Sequence, residues 1–458
     1  MKFSAVRTLK IYLPIVVLAL FGSGCKQTDS GNLLFPTVRP SAEIEVENVP
    51  VESKATSSWP NLYGPNHQSL IVDDRIRSVW EAGPPRELWR IDVGTGYSSP
   101  VLKENRVVVV HRKGDSEIIE CFSAENGSTL WSKSFPATYE CRYEYSSGPY
   151  STPVIYESVV IAVGQSGMVH CLDLMSGQLL WKRDLFDDYE MALGEWPVAA
   201  SGIVLDGIFV FNLGAVEKNA GVIGLDVSTG KSVWESTTHA AGHATPNRVA
   251  VAGGFDVVLA TCEGLLSLDP KDGKKRWFFP FQRRKAETYN AVSPVVFNQK
   301  VCMVTGPGPG TLVVEVDETG AAKEVWKDRR ILDSQYTNLL CADGFIFGFT
   351  PMKQGGSEMR CINMEQKQLC WKWKAGLGRS MIVADQNTIF ILGERGTLAG
   401  IQLSNQEPIE KFRTESPILD APCYSAPAIY NARLYARNEE HLVCLDLTGS
   451  GSAVADLD

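Results

Sequence analysis

Several features that would point directly to a function are missing from this chain. Its 458 residues hold 44 Lys and Arg against 53 Asp and Glu, a formal net charge of −9, and the compact cationic patch "QRRKAETYN" (282–290) is short. Because a surface that binds phosphates needs clustered cations, this composition argues against nonspecific nucleic-acid binding. No CxxCH motif is present, so covalent attachment of a c-type haem has no support.

The apolar run near the N-terminus, "IYLPIVVLALF" at residues 11–21, is too short to span a bilayer comfortably. It follows three cations and leads through small residues to Cys25, so residues 1–24 are predicted to be a signal peptide. Small residues that end at a cysteine resemble a bacterial lipobox, although Gly22 stands where that pattern prefers Leu. We expect lipidation of Cys25, with plain secretion as the alternative.

The following segment has no sustained helical or strand period. Residues 25–58 contain three prolines and scattered acids, and we interpret them as the lipidated cysteine followed by a flexible tether. The residue after Cys25 is Lys26 and not Asp, and in the usual sorting pattern this favours the outer membrane. The expected location is therefore the periplasmic face of the cell envelope, as an outer-membrane lipoprotein.

An internal repeat dominates the rest of the chain. The stretch "GMVHCLDLMSGQLLW" (167–181) has relatives in "EIIECFSAENGSTLW" (117–131) and "AGVIGLDVSTGKSVW" (220–234). Each is an apolar run, a polar turn and a second short strand that ends in an aromatic residue, which is the pattern of a β-hairpin. We expect the closing aromatics to dock neighbouring units onto one another. They are Trp131, Trp181, Trp234, Trp277, Trp326, Trp371 and Phe412.

The two ends of the chain complete one unit between them. Spacings of 41 to 53 residues between the aromatics fit four short strands per unit. The last unit stops after "HLVCLDL" (441–447), and its missing aromatic strand is found as "ELWRIDV" (87–93), which contains Trp89. When an N-terminal strand completes the last unit in this way, the ring closes and leaves no open sheet edge. We predict an all-β fold, an eight-bladed β-propeller of four-stranded antiparallel blades over residues 59–447, with a disordered tail at 448–458.

Repeats of the form "LDxxTGxxxW" resemble the pyrroloquinoline-quinone-type (PQQ-like) propeller repeat, over residues 87–447. The segment "WPNLYGPNHQS" (59–69) is similar to one that precedes such propellers in many exported bacterial proteins. The family contains quinoprotein dehydrogenases as well as non-enzymatic scaffolds. The resemblance therefore implies a fold and leaves the activity open.

The cofactor site of the family's dehydrogenases does not map onto this chain residue by residue. The resemblance implies a quinone over a tryptophan, a calcium ion, a catalytic aspartate and adjacent cysteines, yet no Cys-Cys pair occurs here. The first two positions of the inner strands hold no carboxylate, although nearby loops contribute Glu195, Trp196, Asn290 and Asp333. A calcium site needs several oxygen ligands, and a general base needs an acid or a histidine in place. We predict no catalytic residue, no metal and no cofactor.

The starts of the inner strands converge on one mouth of the central funnel, which is a candidate binding surface. An aromatic and cationic lining binds peptides, sugars or small polar ligands by stacking and hydrogen bonding; alternatively, these residues plug the channel and support neighbouring loops. The candidates are Tyr97, Tyr150, Glu195, Trp196, His243, Asn290, Tyr336, Arg379 and Tyr424. Loops 137–150 and 183–197 are both aromatic and acidic, and are expected to carry partner specificity or to be solvated edges.

The cysteines give a weaker signal. Cys121, Cys171, Cys361 and Cys444 share one repeat position, which favours a small residue packed between blades over a metal or disulfide. Cys361 and Cys370 flank one hairpin, and a register that sets them opposite each other would permit a cross-strand disulfide in an oxidising compartment.

These features predict an exported, lipid-anchored, monomeric propeller that acts as a non-catalytic protein-interaction scaffold or binding module. Its expected partners are envelope proteins or peptides, with no nucleic acid, and with membrane contact through the lipid anchor only. In anchor, size and repeat it is similar to the propeller lipoproteins of the outer-membrane β-barrel assembly machinery. The alternative is a periplasmic oxidoreductase of the alcohol dehydrogenase type, which would use PQQ with calcium.

Overall fold

The computed structural model describes residues 58–449, apart from 144, 195, 283–289 and 352–355. The predicted signal peptide at 1–24, the lipidation site Cys25 and nearly all of the tether lie outside the described residues. So do Glu195 and most of the predicted tail.

Eight antiparallel sheets form the described chain, each a four-stranded blade, and the short strand Ser58–Trp59 adds a fifth strand to the first; this confirms the eight-bladed β-propeller. The second and third strands of each blade are apolar over most of their length, as in "VVIAV" at 159–163, because neighbouring blades cover both of their faces. In the part of the chain that the structure describes, helix is limited to one short turn at Leu185–Asp188 and one 3₁₀ turn at Val216–Lys218. Neither of these described helices has the length or the hydropathy to cross a bilayer.

Two strands precede the first blade: β1 (Ser58–Trp59) and β2 (Arg86–Asp92). Blades 1 and 2 contain β3 (Val101–Lys103), β4 (Arg106–Lys113), β5 (Ser116–Ser123), β6 (Thr129–Pro136), β7 (Val154–Tyr156), β8 (Val159–Val163), β9 (Met168–Asp173) and β10 (Leu179–Asp184). Blades 3 and 4 contain β11 (Ile203–Leu205), β12 (Ile208–Ala215), β13 (Ala220–Asp226), β14 (Ser232–Ser236), β15 (Asn247–Val251), β16 (Gly254–Ala260), β17 (Gly264–Leu268) and β18 (Lys275–Pro280).

Blades 5 and 6 contain β19 (Val295–Phe297), β20 (Lys300–Thr305), β21 (Gly310–Val316), β22 (Ala322–Asp328), β23 (Leu340–Ala342), β24 (Phe345–Phe349), β25 (Met359–Asn363) and β26 (Gln368–Trp373). Blades 7 and 8 contain β27 (Met381–Ala384), β28 (Thr388–Leu392), β29 (Leu398–Gln402), β30 (Glu410–Arg413), β31 (Ala428–Tyr430), β32 (Arg433–Arg437) and β33 (His441–Asp446).

The ring closes as the sequence predicted. Strand β2 supplies the outer strand of blade 8 by pairing antiparallel with β33, with Trp89 opposite Cys444. The closing strand and the strand it completes therefore come from the two ends of the described chain, and blade 8 has the same four strands as its neighbours.

Every outer strand carries a β-bulge immediately before its closing aromatic residue. In blade 1, Trp131 lies opposite Cys121 while Thr129 lies opposite Phe122, so Leu130 is the extra, unpaired residue. The same register shift recurs in all eight blades. A bulge bends an edge strand and leaves its extra residue unpaired, which hinders edge-to-edge pairing with another chain.

The closing aromatics pack against the next blade around the ring. The indole Nε1 of Trp131 donates to the carbonyl of Leu174 at 2.9 Å, and that of Trp181 donates to Val227 at 2.8 Å. Trp89, Trp234 and Trp371 make the equivalent bond to Ala124, Pro270 and Ser404. The glycine of the "TG" type of turn fits beneath the indole: a Cβ at Gly177 would lie 2.6 Å from the Trp131 ring.

Residues 58–71, the channel segment, enter the ring of inner strands and cross it. Trp59 of β1 pairs with Leu102 in blade 1, and the carbonyl of Pro60 accepts from Ile155 in blade 2 at 2.7 Å. Further on, the segment meets the opposite side of the ring. Its partners there are Asn247, Val296, Cys341 and Ala384 in blades 4 to 7. Trp59 is 1% exposed and burial raises the pKa of Tyr63 to about 12, so the segment is part of the core.

The two ends of the ring are therefore different. The loops that lead into the inner strands surround one end, the mouth. At the other end, the plugged end, tight turns join the first strand of each blade to the second and the third to the fourth. The channel segment enters at the plugged end, because Ser58 pairs with Lys103, the last residue of β3. The described chain thus forms a cup that opens at the mouth.

Candidate binding site at the channel mouth

Tyrosines from the inner-strand starts meet at the mouth. The ring centroids of Tyr97 and Tyr150 are 4.7 Å apart, and Tyr424 approaches Tyr97 at 5.4 Å and Tyr336 at 5.7 Å, both edge-on. These residues belong to blades 1, 2, 6 and 8, so the closed ring brings together side chains that are far apart in sequence. Four of the candidates from the sequence thus form one connected cluster.

Two long loops extend this cluster to the surface. Tyr143 stacks on Trp196 with centroids 4.6 Å apart, and Tyr145 contacts Trp196 at 5.5 Å and Tyr424 at 6.5 Å. Tyr143 is 45% exposed and Tyr145 is 38% exposed, so ring area remains open to solvent. The sequence singled out both loops and Trp196 but missed these two tyrosines, because no repeat position marks them.

Loop 137–150 is held in place by a buried arginine. Arg112 donates to the carbonyls of Tyr139 and Ser147, the latter at 3.0 Å, and forms an ion pair with Glu140 at 2.6 Å. The phenol of Tyr97 accepts from the backbone N–H of Ser146 at 3.1 Å. Because these bonds fix the loop backbone, the exposed tyrosines project from a rigid base.

Arg379 forms part of the wall. Its Nε lies 2.8 Å from Glu394 Oε2, a terminal nitrogen donates to the Tyr424 hydroxyl at 3.1 Å, and its guanidinium lies 5.5 Å from the ring centroids of both Tyr336 and Tyr424. Burial opposes its charge, but the bond to Glu394 and the neighbouring phenols raise the pKa of Arg379 above its usual value. The arginine thus stays charged and is paired within the protein.

The cavity at the mouth is large enough for a small ligand or the tip of a partner loop. It has a volume of about 720 Å³. Its lining combines aromatic rings, hydroxyls and two charged residues: Thr95, Tyr97, Tyr145, Ser146, Ser147, Arg379, Pro422, Tyr424 and Glu439. Burial, and secondarily Glu439, raise the pKa of Tyr97, so its phenol stays protonated.

A belt of hydroxyls joins the blades beneath the mouth. The backbone N–H of Ser99 donates to the hydroxyl of Thr152 at 2.9 Å, that of Thr152 to Ser201 at 2.8 Å, and that of Thr245 to Ser293 at 2.8 Å. Each bond runs from one blade to the next, so it ties the inner strands together at the base of the cup. Ser-Pro and Thr-Pro pairs of the sequence supply most of this belt, and Ser201, which precedes a glycine, supplies the equivalent hydroxyl in blade 3.

Other candidates from the sequence lie elsewhere. Asn290 is buried and donates to the carbonyl of Thr261 at 2.5 Å, a contact that supports a neighbouring loop. His243 is partly buried, and desolvation lowers its pKa to about 4. Neither belongs to the aromatic cluster. Glu195 lies outside the described residues.

The register at Cys361 and Cys370 differs from a directly opposed pair. Cys361 lies opposite Trp371, and Cys370 is the extra residue of the bulge in blade 6. Both are free thiols in the structure. They are nonetheless in contact, since a hydrogen bond with Cys361 lowers the pKa of Cys370 to about 7. The disulfide stays a prediction.

The mouth does not fit a calcium-bound quinone. Among the described residues, no three His, Cys, Asp or Glu side chains converge as a metal site requires. Of the carboxylates beside the cavity, Glu394 is taken up by Arg379, and Glu439 accepts a backbone N–H from Gly96 at 3.4 Å. Calcium takes several oxygen ligands, and this donor set does not supply them.

Comparison with known proteins places the chain in a family. The family model described as outer membrane protein assembly factor BamB matches residues 114–372, more than half of the chain. The chain belongs to the BamB family. BamB of Escherichia coli K12 is 27% identical over 140 residues, and BamB of Yersinia pestis is 25% identical over 156 residues. These matches cover 30% and 32% of this chain and 31% and 35% of the relatives, so the chain spans about a third of their length.

Solved structures share the architecture at low identity. BamB from Moraxella catarrhalis superposes with a TM-score of 0.59 at 15% identity, over 79% of this chain and all of that one. A quinohemoprotein alcohol dehydrogenase from Pseudomonas putida gives the same TM-score at 10% identity, over 88% of this chain and 82% of that one. At these identities the likeness is one of fold, which BamB shares with quinoprotein enzymes.

Proposed function

We propose that this BamB-family chain is an exported, lipid-anchored scaffold of the cell envelope that binds a protein partner at its mouth. The observation that carries the proposal is the connected aromatic surface running from Tyr143 and Trp196 down to Tyr424. Partly exposed Tyr and Trp on a rigid base are typical of binding hot spots. The relatives are named as outer membrane protein assembly factors, and we extend that role to this chain.

The charges of the mouth support a binding role over catalysis. Arg379 is neutralised by Glu394, and the phenol of Tyr97 is kept protonated by burial. A general base or a nucleophile must be a group whose protonation state suits that role. Stabilisation of charge that develops in a reaction requires a charged group that is not already paired. Aromatic area and paired charges serve recognition instead.

Photo-crosslinking in cells tests the partner. A photoreactive residue in place of Tyr145 should give a discrete protein adduct, whereas the same residue in place of Lys271, an exposed turn position at the plugged end, should not. Tyr143→Ala with Trp196→Ala should weaken the adduct at position 145 by about tenfold or more, because hot-spot aromatics each contribute about 2 kcal/mol or more. Adducts with only abundant bystander proteins at both positions would contradict the proposal.

Fractionation tests the anchor separately. After a high-salt wash, which weakens binding through surface charge, the wild-type chain should still pellet with envelope membranes, and Cys25→Ser should move it to the soluble periplasmic fraction. Retention of Cys25→Ser in the membrane would show that another feature holds the chain there and would contradict lipid anchoring.

The oxidoreductase alternative is tested with the cofactor itself. Purified chain incubated with PQQ and calcium should gain no bound-quinone absorbance and should reduce no dye in the presence of alcohols. Gain of both signals would replace the scaffold proposal with the enzyme.

A further inference from the structure

The outer strands of blades 1, 2 and 3 expose apolar side chains at one repeat position. The extra residues of their bulges are Leu130, Leu180 and Val233, which are 45%, 49% and 48% exposed. Met175 and Leu179, in and beside the turn of blade 2, are 51% and 39% exposed. These five residues lie on three consecutive blades, whereas blades 4, 6 and 7 each have a single such residue: Phe255, Leu369 and Ile409.

Elsewhere around the ring the same position is less exposed or charged. Leu88, Val325 and Cys370 in blades 8, 5 and 6 are only partly exposed. Blades 4 and 7 have Arg276 and Lys411 as the extra residue of the bulge. The bulge itself therefore does not require an apolar residue. The apolar choice in blades 1 to 3 leaves large side chains in water, where they cost free energy unless something covers them.

Cations accompany these apolar residues although the chain as a whole is acidic. Lys133, Lys182 and Lys231 lie on or beside the same three outer strands, and none has an ion-pair partner within the described part of the chain. A cavity of about 380 Å³ between blades 2 and 3 is lined by Lys182, Arg183, Lys231 and the hydroxyls of Thr229 and Ser232. Clustered cations and hydroxyls are the donors that a phosphate group takes.

The carboxylates of the neighbouring turns form no ion pair with the cavity lysines in the described part of the chain. Asp173 accepts from the hydroxyl and N–H of Ser176, and Asp226 accepts from Ser228 and Thr229, so both are turned into their own turns. Arg183 is paired with Asp188 at 2.5 Å. Lys182 and Lys231 remain as the free positive charges of the cavity.

The position of this surface on the ring indicates what it faces. Leu130, Leu180 and Val233 are each the second residue of an outer strand, just after the turn from the third strand, and these turns lie at the plugged end. The channel segment also enters at the plugged end, where Ser58 pairs with Lys103 of blade 1. Ser58, the first described residue, therefore lies at the plugged end of blade 1, the same end as the apolar and basic surface.

We propose that the plugged-end rim of blades 1 to 3, defined by the five apolar residues and the three lysines above, binds the surface of a bilayer that contains anionic phospholipid. The apolar side chains enter the interface, and the lysines bind lipid phosphates, which is the composition of interfacial membrane-binding surfaces. The proposal rests on the proposed anchoring, since a lipid at the tether would hold this end toward the membrane. The mouth then faces away from the bilayer, open to a partner.

Vesicle sedimentation tests the rim without the anchor. Two proteins can be used: residues 26–458, which retain the whole closed ring, and the chain with Cys25→Ser, which carries no acyl group. Either protein should sediment with vesicles of equimolar phosphatidylcholine and phosphatidylglycerol, and not with vesicles of phosphatidylcholine alone. Added salt should weaken the binding, because salt screens charges at the surface.

Two sets of variants separate the contributions. Lys182→Gln with Lys231→Gln should lower the partition coefficient by about 25-fold, or about fivefold per lysine. Leu130→Ser, Leu180→Ser and Val233→Ser together should lower it by about tenfold or more, since each removes apolar area from the interface. Because all five positions are on the surface, circular dichroism should show unchanged folding.

The matched control is Leu193→Ser with Lys374→Gln, an exposed leucine and an exposed lysine in loops at the mouth end. This control should bind vesicles as the parent does. Absence of vesicle binding, equal binding to both vesicle types, or equal loss in the control would overturn the proposal. So would a dimer that the serine variants abolish, or a photo-crosslink from position 180 to a protein and not to lipid.

Failure here is distinguishable from failure of the proposed function. Loss of the vesicle interaction leaves the crosslink at position 145 and the fractionation of Cys25→Ser unaffected. Conversely, vesicle binding by the rim does not depend on the identity of a partner at the mouth.

Discussion

Glu117 is an acid buried between blades 1 and 2, close to the support of the mouth. It is 4% exposed, its carboxylate accepts from the N–H of Gln165 at 3.2 Å, and it lies across the sheet from Arg112. Burial raises the pKa of Glu117 to about 7. The carboxyl is therefore neutral in the folded protein at a pH at which it is ionised in the unfolded chain.

The stability of the protein should decrease as the pH rises through this range. Below about pH 4.5 the Glu117 carboxyl is protonated in both the folded and the unfolded state. Between about pH 4.5 and 7 the unfolded chain releases a proton that the folded chain keeps. This difference lowers the free energy of unfolding by up to about 3 kcal/mol. Glu117→Gln should remove this component, so its stability relative to wild type should rise from pH 5 to pH 8 in urea denaturation. The exposed Glu125→Gln should follow wild type, and a Glu117→Gln profile parallel to wild type would contradict the assignment.

Gly177 shows how one residue type serves the contact between blades. Its φ is +67°, and a Cβ would lie 2.6 Å from the ring of Trp131. Gly114 has a similar φ of +57° but open space around the Cβ position. The two glycines thus separate the cost of a left-handed backbone from the cost of steric contact.

Alanine substitutions should reveal this difference. Gly114→Ala should lower the free energy of unfolding by about 1 kcal/mol, the cost of placing alanine in the left-handed region. Gly177→Ala should cost about 3 kcal/mol, because the indole must also move. Equal losses in denaturant titrations would show that the contact with Trp131 is unimportant.

At the scale of elements, the channel segment is the main departure from a ring built of repeats alone. It has no repeat partner, yet it contacts blades on opposite sides of the channel and buries Trp59. A segment that bonds to several blades should stabilise the whole ring, and it explains why the mouth is a cup with a floor.

Removing its largest side chain should test this role. Trp59→Ala should lower the free energy of unfolding by about 3–5 kcal/mol, as expected for a buried tryptophan. Val79→Ala, at a 60% exposed position that follows the segment, should change it by less than about 0.5 kcal/mol. A Trp59→Ala protein as stable as the Val79→Ala control would mean that the segment is not part of the core.

At the scale of the whole molecule, closure makes the two ends of the described chain interdependent. Trp89 of β2, in blade 8, packs against blade 1, and Trp234, in blade 3, packs against blade 4 in the same way. Both side chains are less than a tenth exposed. If the ring is one cooperative unit, the strand that closes it should matter as much as one in the middle of the chain.

Trp89→Ala and Trp234→Ala should therefore have similar effects. Each should cost about 3–5 kcal/mol and leave a single unfolding transition. An additional early transition in Trp89→Ala, with the main transition unchanged, would show that blade 8 opens independently.

Much of the architecture was accessible from local patterns. The alternation of apolar residues, the turn chemistry of "LDxxTGxxxW" and the recurrence of the closing aromatic predicted hairpins, their number and the exchange between Trp89 and "HLVCLDL". These features depend on neighbours within about fifteen residues, repeated around the ring. Of the mouth, the sequence predicted the residues at the strand starts, because the repeat itself numbers those positions.

The tertiary structure decided what depends on long-range packing. No local pattern shows that residues 58–71 cross the channel, that Tyr143 and Tyr145 lean onto Trp196 and Tyr424, or that the residue before each closing aromatic is left unpaired by a bulge. The sequence by itself determined the ring, since hairpins and their turns are encoded locally. Which end is plugged, which is a mouth, and which side chains converge there follow only from closure, because closure alone brings distant residues into contact.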